Sequence, residues 1–313
     1  MLRGDFDRIA ERVRNWGRWG PDDQRGTLNH IGPEALLRAG REVRQGKTIS
    51  LGLPFDKNGP QLGELRFNPM RYAMALYEPC SPDYPDNWFY SDDVIHMPLQ
   101  AATQWDALGH VHYDGEIYNG HCARDCLHIL DGARRCGIEH LAMPGITSRG
   151  VLLDIARLKQ VDRLAPGEEI TVDDLNAACA AHGVTVEPGD IVLVRTGHIR
   201  TLTRDGDREA FNGIQPGVAV AVAEWVHERK VAAIASDNLA VEVLSMPEAG
   251  SEVTMPFHML MLRDMGCPLG EIFDLDRLSD DCAGDGRYSF MLCAPPLPVT
   301  GGFGSPVNPT AIK

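Results

Sequence analysis

Residues 100–114, QAATQWDALGHVHYD, carry the pattern that decides the fold of this chain. The first half predicts a β-strand, in which alternate side chains point to the same face of a sheet. One face of this strand carries Gln100, Ala102, Gln104 and Asp106. Buried polar groups need hydrogen bonds or a metal. The pattern therefore fits two alternatives, a polar pocket or a surface edge strand that enters a solvated loop.

The composition of the 313-residue chain excludes several classes of protein. A formal net charge of −14 argues against a nucleic-acid or anionic-membrane partner, because both need a concentrated positive field. No apolar run approaches the roughly 18 residues of a membrane span, and the charged N-terminus has no signal-peptide core. Eight cysteines without an export signal indicate reduced thiols. We therefore expect a cytoplasmic protein that acts on a small-molecule substrate.

The order of elements predicts a mixed α/β domain over residues 45–313, preceded by a helical extension over residues 1–44. Apolar runs predict strands, and helical spacing with capping residues predicts helices. The main predicted strands are 100–106, 150–155, 190–195 and 231–235, and the main helices are 172–182, 216–227 and 255–265. Thr171 is the predicted N-cap of the first of these helices, and Gly266 is the predicted end of the last.

Residues 80–93 are rich in proline and aspartate, which predicts an irregular loop. This loop carries three consecutive aromatic residues, Trp88, Phe89 and Tyr90. They are consistent with a lid over a pocket or with an aromatic plug that packs the loop against the domain.

Other polar clusters give weaker signals. The candidate zinc ligands are His121, Cys122, Cys126 and His128. Structural zinc sites usually draw paired ligands from two separated segments, so we interpret Cys122 and Cys126 as small core residues on one helix face. Two further pairs follow predicted strands or lie on a facing helix, Asp237 with Glu242 and His258 with Glu271. Considered alone, each of these pairs favours a structural role.

The segment from Gln100 to His110 resembles a variant of the motif H-x-G-T-H-x-D-x-x-x-H. This motif belongs to the cyclase family of metal-dependent hydrolases, which includes kynurenine formamidase and isatin hydrolase. Asp106 and His110 match the motif, whereas Gln100 and Gln104 stand in place of its two metal-binding histidines. Further similar segments are 190–197, 236–242, 258–271 and 302–309. The similarity covers residues 45–310, and the chain length is similar to the longer branch of the family.

This resemblance implies a three-layer β/β/α swivelling domain that assembles as a homodimer or homotetramer. It also implies a hydrolase that opens or cleaves an amide, cyclic amide or lactone of a small ring-containing substrate. Metal-activated water would attack the carbonyl group. Asp106 would hold this water, and His110 would shuttle its proton to the leaving group.

The same resemblance implies that Asp106, His258 and Glu271 bind one divalent metal ion, manganese or zinc, with Gln104 as an optional fourth ligand. An amide oxygen is a weaker zinc ligand than imidazole, so the alternative is that the metal is lost and Gln100 and Gln104 bind substrate. The aromatic side chains of Trp88 and Trp105 are candidates for stacking on its ring. A metal-free cyclase or isomerase and a non-catalytic binding protein with the same fold also remain open.

Overall fold

The computed structural model describes residues 1–63, 65–83, 88–246 and 250–313. The strands are β1 (Thr48–Ser50), β2 (Met70–Pro79), β3 (Phe89–His96), β4 (Gln104–Asp106), β5 (Glu116–Ile117), β6 (His121–Cys122), β7 (Leu127–His128), β8 (Gly132–Ala133), β9 (Thr147–Asp154), β10 (Glu169–Ile170), β11 (Ile191–Arg195), β12 (Gly217–Val218), β13 (Ala233–Ser236), β14 (Leu269–Glu271), β15 (Ser289–Cys293), β16 (Gly304–Pro306) and β17 (Thr310–Ile312). The α-helices are α1 (Arg3–Val13), α2 (Pro33–Gly40), α3 (Ala123–Cys126), α4 (Glu139–Ala142), α5 (Ile155–Leu158), α6 (Val172–His182), α7 (Arg200–Thr203), α8 (Arg208–Asn212), α9 (Val222–Glu228), α10 (Pro256–His258) and α11 (Asp276–Asp285). Two 3₁₀-helices span Gly26–His30 and Tyr118–Gly120, and a π-helix spans Met259–Met265.

Within the described ranges, nine strands form one mixed sheet in the order β1-β17-β15-β9-β11-β13-β14-β4-β16. The central strands β9, β11, β13 and β14 run parallel, and β4 and β15 pair antiparallel with the two outer members of this group. Central parallel strands are covered on both faces and need continuous apolar sequence. The run IVLVR of β11 meets this need, and all five of its residues are buried. The predicted mixed α/β class is confirmed.

The N-terminal residues pack against the same core as the sheet. Phe6 and Val13 of α1 are fully buried in this core, and Asn15 Nδ2 donates a hydrogen bond of 3.0 Å to the carbonyl of Met265. Thr27 Oγ1 donates another, of 2.7 Å, to the carbonyl of Ala232 beside β13. The boundary at residue 45 stays a prediction, but the extension shares the core of the domain.

Two predicted helices have the predicted ends. The Thr171 side chain accepts a hydrogen bond from the backbone N–H of Asp174, whose carboxylate accepts one from the Thr171 N–H in return. This reciprocal capping box stabilises the start of α6. The helical segment that begins at Pro256 ends at Gly266, which adopts a left-handed conformation with φ of 68°.

The strand predicted over residues 100–106 is shorter than expected. Only Gln104–Asp106 is extended, and residues 100–103 form a turn. Gln100 therefore does not lie on the strand face that Gln104 and Asp106 share. The helix predicted from Pro216 is also shorter, because Gly217–Val218 pairs with β10 as a strand. The helix itself begins at Val222.

The prediction of an irregular loop over residues 80–93 is wrong for its second half. Strand β3 begins at Phe89 and pairs with β2 in a long hairpin, whose backbone hydrogen bonds stabilise an extended chain despite the polar sequence. Trp88, Phe89 and Tyr90 are exposed, so they do not form a plug. Residues 84–87 of the predicted loop lie outside the described residues.

Candidate metal and active site

Three ionisable side chains from different elements meet beside the edge of the central parallel strands. Asp106 is on β4, Glu271 ends β14, and His258 is on α10. The antiparallel register places Gln104 directly opposite Glu271. One potential ligand atom from each of Asp106, His258 and Glu271 lies within 4.8 Å of the others. The structure therefore brings together the three residues that the sequence predicted as metal ligands.

The acceptor atoms of this centre are incompletely satisfied. Gln104 Nε2 donates a hydrogen bond of 2.5 Å to Glu271 Oε2, but Gln104 Oε1 and Asp106 Oδ2 are buried with no hydrogen-bond partner among the described residues. Burial, and then the negative charge of Glu271, raise the pKa of Asp106 well above its usual range. One carboxylate oxygen and one amide oxygen, both buried and unpartnered, lie beside the second carboxylate, Glu271. This arrangement fits a divalent cation, which would neutralise both carboxylates.

His258 is oriented by a third carboxylate, Glu242. Glu242 Oε1 accepts hydrogen bonds from the backbone N–H of His258 at 2.8 Å and from its Nδ1 at 2.6 Å. This leaves Nε2 directed at Glu271 Oε1, 3.1 Å away. Burial acts to lower the pKa of His258, but the hydrogen bonds with Glu242 and Glu271 outweigh it and raise the pKa to about 10. A carboxylate behind the imidazole is the usual way to orient a metal-ligating histidine.

The backbone beside this centre is strained at three positions. Val241, Met255 and Ile272 all have φ between 52° and 59°, in the left-handed region that β-branched and bulky residues rarely adopt. Val241 precedes Glu242 and Ile272 follows Glu271. Such strain costs on the order of 1–3 kcal/mol at each residue and clusters at functional sites. It supports a functional role for this part of the molecule.

His110 lies at the entrance of the centre. Its Nε2 is 3.9 Å from Asp106 Oδ1, and a quarter of its side chain is exposed. Burial lowers the pKa of His110 to about 4, so its imidazole is neutral at pH 7 and can accept a proton. A cleft of about 630 Å³ opens in front of His110, His258 and Glu271. Leu239, Leu244, Met259 and other apolar side chains also line this cleft.

The remaining predicted substrate contacts lie outside the main cleft. Gln100 lines an adjoining pocket of about 480 Å³ together with His110 and His112. Trp105 is fully buried, packs edge-on against Phe273, and donates to the carbonyl of Ala294. It alternates with Gln104 and Asp106 along β4 and therefore points to the opposite face. Its position is that of a core residue and not of a substrate contact.

Trp88 is exposed beside β3 and does not line the main cleft within the described residues.

Asp237, which the sequence analysis paired with Glu242, has a structural role instead. Its carboxylate accepts hydrogen bonds from the Thr196 N–H and hydroxyl and from the Gly197 N–H, at 2.6–2.8 Å. It fixes the turn after β11. Sequence reasoning therefore found Glu242 but assigned it to the wrong pair.

The cysteine-rich segment is not a metal centre in the structure. Among the described residues, the grouping of metal-binding side chains is that of Asp106, His258 and Glu271. Cys126 is buried as predicted, but Cys122 is exposed, because α3 is a single turn and gives the two cysteines no common face. None of the helices in the described ranges is long and apolar enough to cross a membrane.

One cleft residue, Arg66, was missed at the sequence level. It belongs to the segment between β1 and β2, which is rich in Gly, Pro and Asn and where no periodic pattern distinguishes one polar residue from another. Its guanidinium lines the cleft with His110 and Glu271. Its position depends on how the loop is attached to the domain, and this attachment has no signature in the local sequence.

A carboxylate–imidazole centre beside an apolar cleft is typical of a metal-dependent enzyme. The chain belongs to the cyclase family, since residues 49–243, more than half of its length, match the family model described as "Putative cyclase". A solved structure described as a "novel cyclase" is 38% identical, covers 96% of this chain and 100% of its own, and gives a TM-score of 0.86.

Two more distant solved structures share the fold. Isatin hydrolase A from Ralstonia solanacearum is 20% identical, with 89% of this chain and 94% of that chain covered and a TM-score of 0.61. A "Potential Metal-Dependent Hydrolase With Cyclase Activity" is 15% identical, with 85% and 98% covered and a TM-score of 0.51. No curated protein sequence gives a significant match. The fold implied by the sequence motif is confirmed.

Proposed function

We propose that this protein is a metal-dependent hydrolase that opens or cleaves an amide, cyclic amide or lactone of a small ring-containing substrate. The observation that carries the proposal is the meeting of Asp106, His258 and Glu271 around unpartnered, buried oxygen atoms. Support also comes from the cyclase family and from the fold shared with an isatin hydrolase and a metal-dependent hydrolase. The apolar cleft of about 630 Å³ has the size for a small ring compound.

The residues that would hold the metal are Asp106, His258 and Glu271, with the free Oε1 of Gln104 as a fourth donor. One imidazole with carboxylate and amide oxygens suits manganese and zinc. The chemistry supplied by such a metal is polarisation of a carbonyl oxygen and a lower pKa for a water molecule. Glu242 fixes the imidazole of His258 so that Nε2 faces the centre.

Two protein side chains have separate roles in the reaction. Asp106 orients the attacking water through its buried carboxylate, and the neutral imidazole of His110 accepts the proton that this water loses. The water oxygen forms a bond to the carbonyl carbon. The C–N or C–O bond then breaks, and protonated His110 gives its proton to the leaving nitrogen or oxygen. The apolar wall of the cleft holds the ring and limits access of bulk water.

The proposal is tested by assaying a panel of aryl amides, cyclic imides and lactones with wild-type protein and His110→Ala. We expect hydrolysis that EDTA abolishes and that manganese or zinc restores, and a loss of about 10²- to 10⁴-fold in kcat/KM for a correctly folded His110→Ala. Full activity of this variant would reject the role of His110. Activity that persists in EDTA would reject the metal.

A metal-free cyclase or isomerase is the competing proposal, and one contact favours it. The hydrogen bond from Gln104 to Glu271 occupies an oxygen that a metal would otherwise use. In this alternative, Gln104 hydrogen-bonds the substrate and the neutral imidazole of His110 accepts a proton from it, without a cation. Turnover of substrate without consumption of water, in EDTA, distinguishes it from hydrolysis.

We also propose that the protein is a homo-oligomer. The hairpin of β2 and β3 is exposed along its length and carries bare apolar side chains, including Tyr72, Met74 and Leu76. An isolated two-stranded hairpin is marginally stable in water, which supports cover by a second copy of the chain. Light scattering should give a dimer or tetramer that Met74→Asp dissociates. The control Leu37→Asp, at an exposed position on α2, should not dissociate it. A wild-type monomer at micromolar concentration would contradict the proposal.

A further inference from the structure

The loop that carries Arg66 is attached to the domain by side-chain hydrogen bonds. Asn212 Nδ2 donates to the carbonyl of Pro60 at 2.8 Å, and the buried Gln61 Nε2 donates to the carbonyl of Ala101 at 3.0 Å. The side chain of Asn68 closes the loop on itself. Its Oδ1 accepts a hydrogen bond of 2.8 Å from the Gln61 N–H, and its Nδ2 donates one of 2.9 Å to the Gln61 carbonyl. The loop is therefore a built part of the cleft wall.

Within this loop, the backbone of Arg66 is fixed, and its guanidinium has few partners among the described residues. The Gly63 N–H donates to the carbonyl of Arg66 at 3.1 Å. Arg66 Nη1 reaches the carbonyl of Gln100 only at 3.5 Å, and Arg66 forms no salt bridge with any carboxylate of the described residues. A guanidinium has five N–H donors in a planar fork that matches a carboxylate. Among the described residues, most of these donors have no partner and can bind a ligand.

Arg66 is also the sole lysine or arginine among the described residues that line the main cleft. Glu271 and His258 of the candidate metal centre also line the cleft, in a protein with a net charge of −14. Arg66 lines the same cleft as His110 and Glu271, so its positive charge faces the reacting end of the cleft. An anionic substrate would need such a cation to enter.

We propose that Arg66 binds a carboxylate group of the substrate and so selects, within the proposed hydrolase function, small ring compounds that carry a carboxylate. The guanidinium receives the carboxylate in a bidentate pair, while Leu239, Leu244 and Met259 hold the apolar ring. The bond to be hydrolysed then faces His110 and the metal centre. Arg66 is thus a residue that determines substrate specificity.

The test is calorimetric titration of purified protein with benzoate and with the neutral, isosteric benzamide. Wild-type protein should bind benzoate about 10- to 100-fold more tightly than benzamide, as expected for hydrogen bonds to a charged group. Arg66→Gln should remove this preference, and Arg66→Lys should retain only part of it. Arg41→Gln, at an exposed position outside the cleft, is the matched control and should behave like wild type.

Equal binding of benzoate by wild type and Arg66→Gln would overturn the proposal, because it would place the anion on the metal or elsewhere. Equal binding of benzoate and benzamide by wild type would overturn it too. The titration does not depend on turnover. A protein that hydrolyses no amide or lactone but shows the Arg66-dependent preference would therefore contradict the proposed hydrolase and leave the carboxylate site established.

Discussion

The nine-stranded sheet carries two buried polar clusters, each at the ends of two adjacent strands. They differ in how far their hydrogen-bond acceptors have partners. In the first, at the ends of β9 and β11, Asp154 accepts from Arg195 Nη1 at 2.9 Å, from the Arg157 N–H at 3.0 Å and from the hydroxyl of Ser279. Arg195 also donates to Asp276 at 2.8 Å. In the second, the centre of Asp106, His258 and Glu271, buried acceptors are unpartnered.

The same degree of burial gives these two aspartates opposite electrostatic properties. Burial acts to raise the pKa of Asp154, but the charge of Arg195 and the hydrogen bonds outweigh it, so the pKa is lowered. Burial and the charge of Glu271 together raise the pKa of Asp106. Ligands of parallel sheets usually bind beyond the carboxyl ends of the strands. In the Asp154 cluster, however, the ion pairs and hydrogen bonds leave the Asp154 carboxylate no unpartnered oxygen within the described part of the chain. The candidate site is therefore distinguished by buried acceptors that lack hydrogen-bond partners, because both clusters are buried.

The largest expected effect separates activity from stability at Asp106. Asp106→Asn should lower kcat/KM by about 10²- to 10⁴-fold, because it removes a metal ligand and the group that orients water. Its unfolding free energy in EDTA should stay the same or rise, since one of two neighbouring buried carboxylates is neutralised. Steady-state kinetics and urea unfolding measure the two quantities. A large loss of stability in EDTA would mean that the two clusters do not differ as described.

The converse substitution is Asp154→Asn. It leaves Arg195, which is nearly fully buried, without its inner partner, and breaking a buried pair costs about 3–5 kcal/mol. We expect urea unfolding to show a loss of this size, while kcat for the folded fraction is unchanged. If kcat fell with no change in stability, the Asp154 cluster would have to be regarded as part of the active site.

A smaller effect is expected for the carboxylate behind His258. Glu242→Gln keeps the shape of the side chain but weakens its hydrogen bond to His258 Nδ1, and such changes typically reduce metal affinity by about 10- to 100-fold. Competition with a fluorescent chelator measures the affinity. Asp237→Asn is the control and should leave the affinity unchanged, because the hydrogen bonds of this buried carboxylate in the described structure go to the turn after β11.

The smallest effect is a difference in pH dependence. The raised pKa of Asp106 means that its contribution to stability is complete below its ordinary value of 3.8 and is lost as the pH rises above it. The lowered pKa of Asp154 has the opposite consequence, a contribution that is lost as the pH falls through its folded-state pKa. Each slope is limited to about 1.4 kcal/mol per pH unit for one proton. Thermal unfolding in EDTA should show the first slope in wild type and not in Asp106→Asn.

The candidate metal centre could be predicted because Asp106, His258 and Glu271 match segments of the cyclase family, whereas the residues considered alone favoured a structural role. Asp106, His258 and Glu271 come from a strand, a helix and a strand in a recognisable order, and their meeting follows from the pairing of β4 with β14. The alternation of a strand also contained the information that Trp105 points away from Asp106. The position of Gln100 was wrong for a different reason, since the turn at residues 100–103 ends the alternation.

Arg66 and the extent of the β2–β3 hairpin could not be predicted in the same way. Arg66 is held by contacts of Pro60 and Gln61 with residues far along the chain, and such contacts leave no local periodicity. The hairpin carries prolines and aspartates that normally indicate a loop, and cross-strand hydrogen bonds override this preference. The position of Arg66 and the extent of the hairpin both depend on contacts between separate segments, and local sequence patterns do not encode such contacts.

The most direct test of the central claim is the metal content of the purified protein beside that of Asp106→Ala and Asp154→Asn, each prepared without chelator and measured by elemental analysis. We predict about one manganese or zinc per chain in wild type, its loss in Asp106→Ala, and its retention in the folded fraction of Asp154→Asn. A wild-type protein that contains no divalent metal and retains full activity in EDTA would contradict the assignment of Asp106, His258 and Glu271 as a metal centre.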